Sequence, residues 1–123
     1  MARKKILLVD DSETSLMMSR MILSKANYDI LVAKDGQEGV VRAVAERPDL
    51  VLLDVVMPKM NGFEACTQIR AREETGTTPI IMVTTRGEES SVEAGYAAGA
   101  TDYITKPVNG LELLTKVRQI LGD

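Results

Sequence analysis

Five times along the chain a short apolar run gives way to a longer amphipathic stretch, and this alternation constrains the fold more than any other feature. The runs lie at residues 5–9, 30–33, 50–53, 80–83 and 102–105. Most are too short for helices and rich in Ile, Leu and Val, so they predict strands. Unbroken apolarity suits parallel strands covered on both faces. The stretches between and after them, at about 12–26, 36–47, 63–74, 88–98 and 110–121, are long enough to cross back over a sheet. The pattern therefore predicts an α/β protein of three layers, with five parallel strands between helices. Punctuation supports the borders: Asp35-Gly36 opens the second helical stretch, Pro48 ends it, Asn61-Gly62 marks a turn, and Pro79 separates a polar loop from the fourth strand.

At 123 residues, without an internal repeat or low-complexity linker, the sequence is expected to form one domain over 1–123, with no second, output domain. Fifteen Lys and Arg against eighteen Asp and Glu give a net charge of −3, and no basic run is long enough to track a nucleic-acid backbone, so direct binding to DNA or RNA is not expected. Arg3-Lys4-Lys5 is followed by only four apolar residues before two aspartates, which fits neither a signal peptide nor a membrane anchor; the expected location is the cytoplasm. The absence of histidine excludes serine–histidine catalysis and, with Cys66 as the single cysteine, Cys/His zinc sites.

In open parallel sheets ligands bind beyond the carboxyl ends of the strands. Here the first strand ends in Asp10-Asp11, the third in Asp54, the fourth in Thr84 and the fifth in Lys106-Pro107, so the polar interruptions converge on one rim. Carboxylates crowded together repel, and burial would raise a pKa or demand a cation. Hard oxygen donors favour Mg²⁺ or a similar ion. One Mg²⁺ and the Lys106 ammonium would offset the three negative charges, leaving a site that a phosphoryl group can approach. Asp54 could then attack phosphorus as a carboxylate nucleophile, with Thr84 as a nearby hydroxyl donor.

Taken in order, Asp10-Asp11, Asp54 followed by Met57-Pro58 and Asn61-Gly62, Thr84, Tyr103 and Lys106-Pro107 resemble the response-regulator receiver domain over about residues 4–121. Each motif alone is weak; their order and spacing carry the resemblance. It implies a flavodoxin-like fold with strand order 2-1-3-4-5, Asp54 as phosphoacceptor, Asp11 as a direct Mg²⁺ ligand, Asp10 as a ligand mainly through water, and the backbone carbonyl of Val56 as a third protein ligand. It further implies that Lys106 pairs with Asp54 and later with its phosphoryl group, and that the Lys106-Pro107 bond is often cis. Phosphate on Asp54 would draw in Thr84, Tyr103 would rotate inward, and the surface of the fourth helix, fifth strand and fifth helix would change. The implied partners are a histidine kinase or histidine phosphotransferase and a downstream target protein. The switch would be a monomer that could dimerise on phosphorylation, not an enzyme beyond its own phosphorylation and dephosphorylation.

Simpler readings stand beside these. Asp10 or Asp11 could cap the first helix. In that helix Met18 and Ile22 are expected in the core, with Leu16 and Leu23 on one flank and Met17 and Met21 on the other, and Leu16 and Met17 are candidates for a docking surface. Gly95 inside the fourth helix either eases its movement or permits close packing. Val56 and Arg86 stand where many relatives carry polar or acidic groups that orient a hydrolytic water, so a long-lived phosphoryl group is expected; Thr85 replaces a common small residue and should slow small phosphodonors. Three rivals are an Asp-nucleophile phosphohydrolase of the haloacid dehalogenase kind, a flavin-binding electron carrier, and a degenerate receiver that binds partners without phosphate. The first would need an Asp-x-Asp motif and the second a Ser/Thr-rich phosphate loop, neither present at the end of the first strand.

Overall fold

The computed structural model describes residues 3–85 and 89–122. Its elements follow strictly alternating order: β1 (Lys5–Val9), α1 (Glu13–Ser24), β2 (Asp29–Ala33), α2 (Gly36–Glu46), β3 (Leu50–Asp54), α3 (Gly62–Ala71), β4 (Ile80–Thr85), α4 (Glu89–Ala97), β5 (Asp102–Lys106) and α5 (Gly110–Leu121). The five strands pair in parallel in the order β2-β1-β3-β4-β5. The chain reverses its direction of winding between β1 and β3, so the loops after those two strands diverge and leave a crevice at the carboxyl edge.

Two apolar cores, one on each face, explain why the strands read as unbroken apolar runs. Side chains alternate faces along a strand. Leu7, Val9, Val51, Leu53 and Met82 face a core with Val40, Cys66 and Ile69 from α2 and α3, whereas Ile6, Leu8, Leu52, Val83 and Ile104 face Leu16, Leu23, Leu113 and Val117 from α1 and α5. With both faces covered, neither parity of residue can be polar until the strand reaches the rim.

Helix starts are set by side chains that accept from otherwise unpaired N–H groups. Ser12 caps α1, Asp35 caps α2 and Asn109 caps α5. Asn61 forms a reciprocal capping box with Glu64 at α3, so Asn61-Gly62 is a helix start rather than a free turn. Gly62 is required by a close approach: a Cβ there would lie 2.3 Å from the carbonyl oxygen of Asp54. Gly95 is different, because an added Cβ would meet Met82 Cγ at 3.4 Å and its other neighbours farther off, so close packing does not demand glycine in α4.

The structure departs from the sequence reading at several ends. Three strands run one or two residues past their apolar runs, taking in Asp54, Thr84-Thr85 and Lys106, because ladder pairing such as Asp54 with Val83 and Thr84 with Thr105 continues where hydrophobicity stops. Helix α3 ends at Ala71 as Arg72 turns extended, and α1 ends at Ser24. Residue 88, the expected start of the fourth helix, lies outside the described residues. In α1 the buried stripe is Leu16, Ser19 and Leu23, and Met18, expected in the core, is 46% exposed. The small Ser19 occupies the sheet-facing position that hydropathy assigned to larger neighbours. Leu16 is therefore core, leaving little of its surface for a partner, although it still borders the groove shared with Met17 and Met21.

Candidate active site at the carboxyl rim

Asp10 follows β1 directly, and its Oδ1 accepts the N–H of Ser12 at 2.9 Å, fixing the turn into α1. Capping of α1 falls to Ser12, whose hydroxyl accepts from Ser15 N–H at 3.2 Å, so neither aspartate is the cap. Asp54 closes β3 and Lys106 closes β5; both backbones are held in the sheet ladder, which makes this a site built on rigid elements. The Lys106 ammonium bridges the two buried carboxylates, 3.2 Å from Asp10 Oδ2 and 3.3 Å from Asp54 Oδ2. The Lys106-Pro107 peptide that follows is cis.

Asp10 and Asp54 are buried and Asp11 is exposed, yet one carboxylate oxygen from each lies within 4.8 Å of the others. Burial pushes the Asp54 carboxyl up to about 6, the Asp10 charge adds to the rise, and Lys106 opposes it. For Lys106 burial acts to lower the pKa, but the charges of Asp54 and Asp10 outweigh it and hold the ammonium above the ordinary lysine value. The three carboxylates are all oxygen donors of the hard type that Mg²⁺ selects, and they exceed in charge what one lysine offsets, so the residues present fit a divalent cation.

Behind Asp54 and Lys106, bounded also by Asp10, Ser15 and Ser19, is a void of about 20 Å³. That holds about one water and no more, whereas Asp11 and Val56 are exposed on the solvent side. Thr84 lies buried on β4, next to β3. Tyr103 sits three residues before Lys106, toward the amino end of β5, half-buried, its ring edge-on to Tyr96 of α4 with centroids 6.1 Å apart. The structure thus gathers Asp10, Asp11, Asp54 and Lys106, leaves Thr84 buried one residue past Val83, the ladder partner of Asp54, and sets Tyr103 apart on the α4 side. The Thr85 side chain and all of Arg86 lie outside the described residues.

The family model for the response regulator receiver domain matches residues 6–118. The chain belongs to that family. It is 42% identical to protein PilH of Pseudomonas aeruginosa over 118 residues, covering 96% of this chain and 98% of that one. It is 41% identical over 118 residues to the alkaline phosphatase synthesis transcriptional regulatory protein PhoP of Bacillus subtilis, covering 96% of this chain but 48% of that protein, so it spans about half of one relative's length and nearly all of the other's. The receiver domain of the sensor histidine kinase PA1611 from Pseudomonas aeruginosa PAO1, solved with a magnesium ion coordinated in its active-site cleft, superposes with a TM-score of 0.91 at 30% identity, covering 99% of this chain and 100% of that one. The flavodoxin-like order 2-1-3-4-5 expected from the resemblance is the order observed. The chain is the receiver domain of a two-component response regulator, a signalling unit. Among the described residues no helix is long and apolar enough to cross a membrane.

Sequence reasoning missed two elements of this region. Ser19, buried at the back of the site, carries no signal beyond a polar residue on a helix. The contacts of Tyr103 with Tyr96 and with Lys116, whose Nζ lies 5.6 Å from the Tyr103 ring centre, join three elements distant in sequence.

Proposed function

We propose that this receiver is a phosphorylation-driven switch in which Asp54 accepts a phosphoryl group from a phosphohistidine of a kinase or phosphotransferase. The observation that carries the reading is the buried Asp10–Lys106–Asp54 bridge beside exposed Asp11, a cluster with more negative charge than its lysine offsets. In the transfer an Asp54 carboxylate oxygen forms a bond to phosphorus as the phosphorus–nitrogen bond of the donor breaks, and the electron pair returns to the imidazole. Asp10, Asp11, Asp54 and the Val56 carbonyl would hold Mg²⁺, which when bound supplies positive charge to the phosphoryl oxygens. Lys106, already within reach of Asp54, shifts toward the new phosphoryl oxygens and stabilises charge there. Thr84 donates its hydroxyl to the same group, and Tyr103 answers by changing its rotamer, which alters the α4–β5–α5 surface offered to a downstream protein.

Donor docking falls to the solvent-facing side of α1, where Met17, Met18 and Met21 are exposed; methionine adapts its shape to a partner's apolar face. Incubation with a radiolabelled phosphohistidine donor and Mg²⁺ tests the assignment. Label should appear on the wild type and be absent from Asp54→Asn. Equal labelling of both proteins would place the acceptor elsewhere.

A further inference from the structure

At the β5 edge of the sheet, away from the carboxylates, α4, β5 and α5 are tied by one cluster of side chains. Lys116 of α5 gives its ammonium to both oxygens of Asp102, at 3.0 and 3.1 Å. Asp102 Oδ1 also accepts the N–H of Tyr103 at 2.8 Å and lies 3.5 Å from the Tyr96 hydroxyl. The same ammonium stands 5.6 Å from the centre of the Tyr103 ring, and Tyr96 meets that ring edge-on at 89°.

The position of β5 makes this possible. It is an edge strand, so no neighbour blocks a side chain from reaching around it. Ile104 faces the α1/α5 core, and Asp102, two residues away, shares its side; Tyr103 packs on the opposite core beneath α4. Lys116 therefore spans the rim of the sheet from the α5 layer to a ring belonging to the other layer. The ion pair is partly buried, each side chain a little over one quarter exposed, which shields it from salt more than a fully exposed pair. A rotation of Tyr103 away from this position forfeits its edge contact with Tyr96 and its contact with the Lys116 ammonium together.

We infer that Lys116, paired with Asp102, is a positioning residue that latches Tyr103 and α4 in the resting arrangement and so sets how readily the receiver switches. This rests on the phosphoryl-switch reading of the Asp54 site. A latch on the resting state lowers affinity for anything that favours the switched one, so removing it raises that affinity.

Beryllofluoride, a stable mimic of the phosphoryl group, serves as the probe in the presence of Mg²⁺. Its apparent affinity is read from amide NMR, the Tyr103 ring signal from ¹³C-labelled tyrosine, and stability from urea unfolding of the same samples. Lys116→Gln should bind about threefold to tenfold more tightly than wild type, with its Tyr103 ring signal displaced toward the saturated position before any ligand is added. Lys116→Arg, which keeps the ion pair and the stacked cation, should stay near wild type. An ion pair that merely stabilises the fold would lower the urea midpoint of Lys116→Gln and leave its affinity unchanged, and that result overturns the latch. Weaker binding by Lys116→Gln also overturns it, by assigning the pair to the switched arrangement. A wild type that does not respond to the probe at all defeats the phosphoryl reading itself, and the latch with it.

Discussion

The two ends of the sheet treat polar groups in opposite ways. At the amino end Arg70 of α3 donates from Nε to the Gly99 carbonyl at 2.9 Å and from Nη1 to the carbonyls of Thr78 and Gly76, while Nη2 reaches the Thr101 hydroxyl at 3.5 Å. Thr101 accepts the Ile80 N–H at 3.0 Å, and the buried Thr75 hydroxyl donates to the Ile69 carbonyl at 2.7 Å. The loops before β4 and β5 are thereby stitched to α3. At the carboxyl end one ammonium serves two buried carboxylates with a third beside them, and the Asp54 carboxyl is pushed up to about 6. One end uses its cation on backbone carbonyls and serves the fold. The other keeps a surplus of negative charge that a divalent cation would offset.

Substitutions at the two ends should therefore move stability in opposite directions. The largest effect is expected from Arg70→Ala, which strips charge-assisted donors from several carbonyls at once and should lower unfolding free energy by about 2–4 kcal/mol in urea titrations. Its Mg²⁺ affinity should stay that of the wild type; a parallel loss would mean that the two ends are not separable.

Asp54→Asn should do the reverse, raising the stability of the metal-free protein at pH 7 by about 1–2 kcal/mol, since it removes a buried charge in surplus. The sign follows from the shift. A carboxyl raised from 3.8 to about 6 on folding binds its proton more tightly in the folded state. Its favourable contribution is fully present below pH 3.8 and is lost as pH rises through about 6. The advantage of Asp54→Asn should accordingly be greatest above pH 7 and shrink as pH falls through that window, when measured with a chelator present. An advantage independent of pH would locate its cause in packing.

The smallest effect sharpens the comparison within the carboxyl end. Val56 is 59% exposed beside the site and cannot orient a water through its side chain. Val56→Asn should shorten the phosphoryl lifetime by about threefold or more, under 1 kcal/mol of barrier per threefold change, and leave urea stability unchanged. An unchanged decay rate would remove Val56 from the account of lifetime.

The carboxyl end was far more legible in the sequence than the amino end, for a physical reason. Asp10, Asp54 and Thr84 each end an apolar run, and in a sheet covered on both faces a polar residue next to such a run marks the rim; Lys106 ends the more polar fifth strand at the same level. Arg70 lies on an amphipathic helix among other charged residues, and its role depends on where the Gly99 and Thr78 carbonyls fall in space. The Lys116–Asp102–Tyr103 cluster was hidden for the same reason. In α1 hydropathy misassigned Met18 because the buried stripe passes through Ser19, whose small size rather than apolarity fits it to the sheet. Strand ends were set short because backbone pairing outlasts hydrophobicity.

The central claim is that the carboxyl-end cluster is a switch whose occupation reaches the α4–β5–α5 face. Its most direct test is an amide NMR titration of wild type and Asp54→Asn with Mg²⁺ and then beryllofluoride. Shifts should begin around Asp11, Asp54, Thr84 and Lys106, spread on beryllofluoride to Tyr103 and α4, and lose the beryllofluoride step in the variant. Shifts confined to the carboxylates in the wild type, or an undiminished spread in Asp54→Asn, would contradict the account.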